Sequence, residues 1–150
     1  PWDTLFLFGG GLALAALIQG SGLSHAIGGE LQGLSGWHPL AVTGVVVLLV
    51  ILWTEFTSNV ATAATFMPIL AALAEATGQP PVTLIIPAAV AASCAFMLPV
   101  GTPPNAIVFG TGLVKMPQMI KAGFWLNLSG IALITALTYL LIAPLLGVQR

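Results

Sequence analysis

Two short stretches interrupt an otherwise apolar chain with polar, helix-hostile sequence. They are Thr54-Glu55-Phe56-Thr57-Ser58-Asn59-Val60 and Pro99-Val100-Gly101-Thr102-Pro103-Pro104-Asn105. Thr54, Thr57, Ser58, Asn59, Thr102 and Asn105 supply neutral hydroxyl and amide oxygens. Pro99, Pro103 and Pro104 lack a backbone donor, and a proline in a helix interior costs about 3 kcal/mol; Gly101 adds backbone freedom. An interrupted helix offers free carbonyls at one end and free N–H groups at the other. Free carbonyls suit a hard monovalent cation, and helix N-termini suit a carboxylate or another oxyanion. Broken helices within membranes use their backbone in this way, pairing an alkali cation with an anion. Neither stretch contains a lysine or arginine. An anion held there rests on N–H groups, on Ser, Thr and Asn side chains, and on the bound cation itself.

The residues alone leave a second reading open for each stretch. Ser58-Asn59 also fits an extramembrane turn, and the Pro-Pro linker also fits a simple kink or loop. Glu55 is a carboxylate in an apolar setting, which is costly and often functional. It serves ion coupling or gating, pairs structurally with backbone donors, or lies at an interface. Glu75, beside Gly78-Gln79-Pro80-Pro81, reads as a solvated loop residue. Cys94, the single cysteine, reads as a small core residue.

The elements that carry these stretches follow from composition. The 150 residues are 58% hydrophobic and 5% charged, against roughly 25% charged in soluble domains. So few charges cannot cover a soluble fold of this length, so lipid must solvate most of its outside. The formal net charge of −1 comes with no basic patch, which leaves a nucleic-acid partner unsupported. The start at Pro1, with Asp3 beside the first apolar run, is unlike a secretory signal and reads as a segment of a longer protein.

The pattern predicts an all-α polytopic membrane protein. A span over 4–20 carries Gly9, Gly10 and Gly11 for close helix packing. An amphipathic interfacial helix over 22–36 has Leu23, Ile27, Leu31 and Leu34 at helical spacing, and ends at the anchor Trp37. His25 and His38 fall at the membrane edge as hydrated interfacial side chains. A hairpin over 38–77 sets two apolar arms around the first polar stretch. A broken helix over 82–114 is apolar up to Leu98 and interrupted by the second stretch. A last span covers 122–147, with Trp125 as an interface anchor and Asn127 as a polar packing group. The loop at Lys115–Lys121 is cytoplasmic by the positive-inside rule. The ends of the hairpin arms then lie outside, and the start of the chain in the cytoplasm.

Taken together, Thr54-Glu55-Phe56-Thr57-Ser58-Asn59-Val60-Ala61 and the long run Ala92-Ser93-Cys94-Ala95-Phe96-Met97-Leu98-Pro99-Val100-Gly101-Thr102-Pro103-Pro104-Asn105-Ala106-Ile107-Val108-Phe109 closely resemble the divalent anion/sodium symporter family. The likeness extends from Leu7-Phe8-Gly9-Gly10-Gly11 to the final span. The resemblance implies a parent with two inverted repeats. Each repeat contributes a re-entrant hairpin with a Ser-Asn-Thr type tip and a helix unwound in mid-membrane; this chain is similar to the C-terminal one.

It further implies part of a secondary active transporter that couples sodium to uptake of divalent anions such as succinate, malate, fumarate or citrate. Its partners would be the N-terminal repeat, membrane lipid and a second copy of the full transporter. It would work by an elevator motion in the plasma (inner) membrane. Carried over by position, Thr54, Ser58, Asn59 and the carbonyl region at Gly101 match a sodium site. Ser58, Asn59, Val60, Thr102 and Pro103 match the substrate side. Val60 stands where many bacterial members have Thr, although valine also occurs in animal citrate and dicarboxylate carriers. Gly101 stands where alanine is common, which is harmless if the backbone carbonyl is the ligand. The first tip motif is absent, so the chain cannot complete a binding site alone.

The rival readings are a sodium-independent dicarboxylate exchanger, a sulfate-, arsenite- or proton-type transporter, and a channel. An enzyme is disfavoured. The histidines lie far from Ser58 in sequence, Glu55 has no carboxylate partner, and no metal-ligand cluster exists.

Overall fold

The computed structural model describes residues 37–145, together with 6, 9, 10, 13, 16, 17 and 20–22. Among the described residues every regular element is helical, in line with the all-α expectation. The span expected over 4–20 is represented by scattered helical positions from Phe6 to Gly20. The interfacial helix expected over 22–36 lies outside the described residues beyond Gly22.

Helix α1, Pro39–Thr54, begins with a proline in its first turn, where the missing N–H has no partner to lose. The Leu40 N–H donates to His38 Nδ1 at 3.3 Å and caps the start. Val42, Val46, Val47, Val50 and Ile51 face inward, while Leu48, Leu49, Leu52 and Trp53 face outward. A helix apolar on all sides suits lipid or further protein around it. Its 16 residues extend about 24 Å at 1.5 Å per residue, short of a ~30 Å hydrocarbon core.

The tip 55–58 reverses the chain into α2, Asn59–Ala76, which carries Pro68 internally. Helix α3, Val82–Ala91, packs against both arms and against the last long helix. The helix expected to continue to Leu98 stops here, well before the prolines. A non-helical linker, 92–102, leads to α4, Pro103–Gly110. The long helix α5, Met116–Leu137, runs on through a π-helical segment, Thr138–Ile142, into a final turn, α6, Ala143–Leu145.

Helix α5 begins ahead of the expected span at 122, because Pro117 suits its first turn and Gln118 Oε1 accepts the Lys115 N–H at 2.9 Å. Lys121 therefore stands within the helix rather than in a loop. Among the described residues, Met116–Leu141 is the one helix long and apolar enough to cross a membrane by itself.

Val47, Val50 and Ile51 of α1, Leu70 and Ala74 of α2, Leu84, Ala88 and Ala91 of α3, and Ile134 of α5 form one contiguous core. In lipid this core gains little from leaving its surroundings, since lipid tails are as apolar as leucine. Close packing holds it instead, and the small alanines of α3 permit that approach.

Candidate functional site

The tip is held from both sides. Thr54 is fully buried, and its Oγ1 lies 2.9 Å from the Ala92 carbonyl and 3.0 Å from Asn59 Oδ1. A hydroxyl has one proton, so it donates to one of these oxygens at a time. Thr57 Oγ1 donates to the Trp53 carbonyl at 3.1 Å, and it lies 2.7 Å from Thr62 Oγ1. These contacts close the turn between α1 and α2. Ser58 Oγ caps α2 by accepting the Ala61 N–H at 3.1 Å. The N–H groups of Asn59 and Val60 precede the first intrahelical bond, in which the Thr62 N–H donates to the Ser58 carbonyl.

The linker is organised by the first turn of α4. Thr102 Oγ1 caps α4 by accepting the Asn105 N–H at 3.3 Å. Asn105 Nδ2 reaches back and donates to the carbonyls of Ala95 at 2.8 Å and Leu98 at 3.0 Å. Pro103 and Pro104 occupy the first turn, so α4 keeps its dipole but lacks two of the donors that a helix N-terminus ordinarily offers. The backbone donors available to an anion lie on the α2 side.

Tip and linker face each other across a cavity of about 560 Å³. Ser58 lines it from the tip, Asn59 and Val60 from the first turn of α2, Gly101 and Thr102 from the linker, and Pro103 from the start of α4. The structure therefore brings together six of the seven residues that the resemblance matched to the sodium and substrate sites. The seventh, Thr54, lies directly behind Asn59. The volume falls in the range of small-molecule sites, roughly 300–1,000 Å³. Gly101 is buried, and a Cβ there would lie 2.9 Å from Ala95 Cβ and 3.5 Å from Glu55 Oε2. Alanine at this position would force Ala95 to give way, so the glycine is fitted to this packing.

Asn59 Oδ1 and the Ala92 carbonyl both lie within hydrogen-bonding distance of Thr54 Oγ1. Neutral hard oxygens of this kind fit an alkali cation better than a transition metal. Among the described residues no group of His, Cys, Asp and Glu could hold a metal ion.

Glu55 resolves differently from the cavity residues. It is 0% exposed and turns toward the linker backbone. Its Oε1 accepts the Phe96 N–H at 2.8 Å and the Met97 N–H at 3.0 Å. Its Oε2 accepts the Met97 N–H at 3.1 Å and the Leu98 N–H at 3.0 Å. Asn127 Nδ2 of α5 completes the set at 2.6 Å from Oε1. Of the readings left open by the sequence, structural pairing with backbone donors is the one this geometry realises. These bonds also account for the early end of α3: residues 96–98 give their N–H groups to a carboxylate instead of to a helix. Asn127 was legible as a packing residue, but its partner was not, because the two residues are 72 positions apart. Glu75 is exposed as expected but stands in the last turn of α2 rather than in a loop, and Cys94 packs half-buried against the core.

Residues 1–148 match the family model described as the sodium:sulfate symporter transmembrane region. The chain belongs to this family. It is accordingly part of an integral membrane protein, and the resemblance drawn from the two polar stretches is borne out. It is 51% identical over 149 residues to the sodium-dependent dicarboxylate transporter SdcS of Staphylococcus saprophyticus, covering 99% of this chain and 29% of that protein. It is 49% identical over 149 residues to SdcS of Staphylococcus aureus strain MRSA252, with the same shares covered. The chain thus spans 29% of the length of these curated relatives. The relatives carry the names of transporters rather than enzymes.

Proposed function

We propose that this chain is the C-terminal repeat of a sodium-coupled carrier for divalent carboxylates such as succinate, malate, fumarate and citrate. The cavity between the Ser58-Asn59 tip and the Gly101–Pro103 linker carries this reading, because it joins neutral oxygens, one well-supplied helix N-terminus and no fixed positive charge. The names of the SdcS relatives support sodium and dicarboxylate as cargo. In this reading α1 and α2 are the arms of a re-entrant hairpin, and α3 and α4 are the halves of a discontinuous helix. An N-terminal repeat of inverted topology supplies a second tip. The parent works as a homodimer in the plasma (inner) membrane, where its hairpin-bearing unit moves against a scaffold.

Thr54, Ser58, Asn59 and the backbone carbonyl at Gly101 hold sodium. Ser58, Asn59, Val60, Thr102 and Pro103 face the substrate. The Asn59 and Val60 N–H groups receive one carboxylate at the start of α2, with the Ser58, Asn59 and Thr102 side chains around it. Val60 contributes shape but no hydroxyl. A dianion in this low-dielectric setting is costly without a counter-charge, and neither polar stretch carries a lysine or arginine. Cation binding therefore precedes anion binding.

Uptake of labelled succinate by the full-length parent in sealed proteoliposomes tests this. Accumulation is expected with an inward sodium gradient and is expected to vanish without sodium. Uptake indifferent to sodium would point to an exchanger, and no succinate uptake to an inorganic anion. The first result would remove the sodium role from Thr54, Ser58 and Asn59, and the second would remove the dicarboxylate.

A further inference from the structure

Glu55 directly follows Thr54 in sequence, yet it does not line the cavity, and both its carboxylate oxygens are committed to protein donors. In a planar trans peptide the N–H and C=O point in opposite directions. Aiming the N–H groups of Phe96, Met97 and Leu98 at one carboxylate therefore turns the carbonyls of Ala95, Phe96 and Met97 the other way. The Ala95 carbonyl so turned accepts from Asn105 Nδ2 at 2.8 Å, and the same amide donates to the Leu98 carbonyl at 3.0 Å. Asn105 stands in the first turn of α4, whose cap Thr102 lines the cavity. Thr54 meanwhile meets the linker at the Ala92 carbonyl. The dipeptide Thr54-Glu55 thus pins the linker at residue 92 and again at 96–98, and through Asn105 it sets where α4 begins.

Asn127 fixes the carboxylate from behind. Its Nδ2 is given to Glu55, while its buried Oδ1 has no hydrogen-bond partner among the described residues. An amide oxygen left unsatisfied is a destabilising arrangement. It accompanies the orientation in which Nδ2 meets Glu55 Oε1.

We propose that Glu55, held by Asn127, is a positioning residue that sets the geometry of the cation and substrate site through the linker backbone while touching neither ligand. The proposal deepens the symporter reading and rests on it. The pair acts on the two lips of the cavity together, because the tip continues from Glu55 and the linker is bound to it.

The test uses the full-length parent in proteoliposomes, with Asn127→Ala and Glu55→Gln. The measured quantities are the sodium concentration for half-maximal succinate uptake, the substrate KM at saturating sodium, and the unfolding temperature in detergent. Asn127→Ala leaves Glu55 its three backbone donors. It is expected to raise the sodium half-saturation about tenfold, equivalent to ~1.4 kcal/mol. Glu55→Gln is expected to raise it further, because the new amide presents its own donors to the linker N–H groups. A purely structural role lowers the maximal rate or the unfolding temperature and leaves the sodium half-saturation in place; that pattern in Asn127→Ala overturns the proposal. If Glu55→Gln does not fold, Asn127→Ala alone decides. A wild-type carrier that ignores sodium defeats the symporter reading instead. The positioning role is then read from the substrate KM: a rise in Asn127→Ala supports it, and an unchanged KM overturns it.

Discussion

Asn59→Ala in the full-length parent is expected to reduce sodium-driven succinate uptake about a hundredfold, with expression and unfolding temperature near those of wild type. Asn59 is the first residue of α2 and lines the cavity, while its Oδ1 sits 3.0 Å from the buried Thr54 hydroxyl. In the proposed site one amide thus serves the cation oxygens on one side and the anion space on the other. Hydrogen bonds to charged groups contribute about 1.5–3 kcal/mol each, and a loss of ~2.7 kcal/mol is a factor of a hundred. The cost to folding is smaller. Ser58, not Asn59, caps α2, and Thr54 keeps the Ala92 carbonyl as an acceptor. Initial rates of uptake over a sodium series, with purified protein quantified per vesicle, measure this. Wild-type rates in a well-folded Asn59→Ala carrier would remove Asn59 from the site.

The sequence was most legible where chemistry is local. Ser58 and Thr102 read as polar breaks and are helix caps, and each cap bond spans three residues. Pro103 and Pro104 marked the C-terminal edge of the second break, because proline acts on its own turn. The other edge was not legible. Residues 92–98, apolar apart from Ser93, continue the pattern of α3, so helical periodicity predicts a helix to Leu98. The helix ends at Ala91 because Glu55, 41 residues before Phe96, competes for its N–H groups. A sequence displays Glu55 as a lone carboxylate and gives no sign of which backbone it will meet. The same limit applies to α5. Its apolar run announced a span, but the start at Met116 depends on Pro117 and on Gln118 reaching the Lys115 N–H. The cavity was legible in its residues and not in its shape, since only packing decides that two breaks face each other.

Gly123→Ala is expected to be the most damaging single-methyl change in the described chain. Gly123 is buried on α5, and a Cβ there would collide with the Phe96 carbonyl and come within 2.6 Å of Met97 Cα. Carbon atoms pack at about 3.5–4.0 Å, so α5 and the linker would have to separate by roughly 1 Å. The obstacle is backbone, which cannot rotate aside as a side chain does. Two effects oppose each other here. Alanine improves helix propensity by up to ~1 kcal/mol over glycine, whereas overpacking of this kind costs about 1–3 kcal/mol and sometimes more. The clash wins, because Asn127 lies one turn along on the same face of α5. Any retreat at 123 also stretches the 2.6 Å bond from Asn127 to Glu55 and loosens the carboxylate that holds residues 96–98. The expected result is a net loss of about 2–4 kcal/mol, seen as a lower unfolding temperature of the purified parent and a weaker sodium response in whatever folds. Gly130→Ala, where the nearest atom to an added Cβ is Ile51 Cδ1 at 3.9 Å, is the control and is expected to be tolerated. If the two variants unfold at the same temperature, α5 does not dock on the linker through Gly123, and the route by which Asn127 reaches Glu55 falls with it.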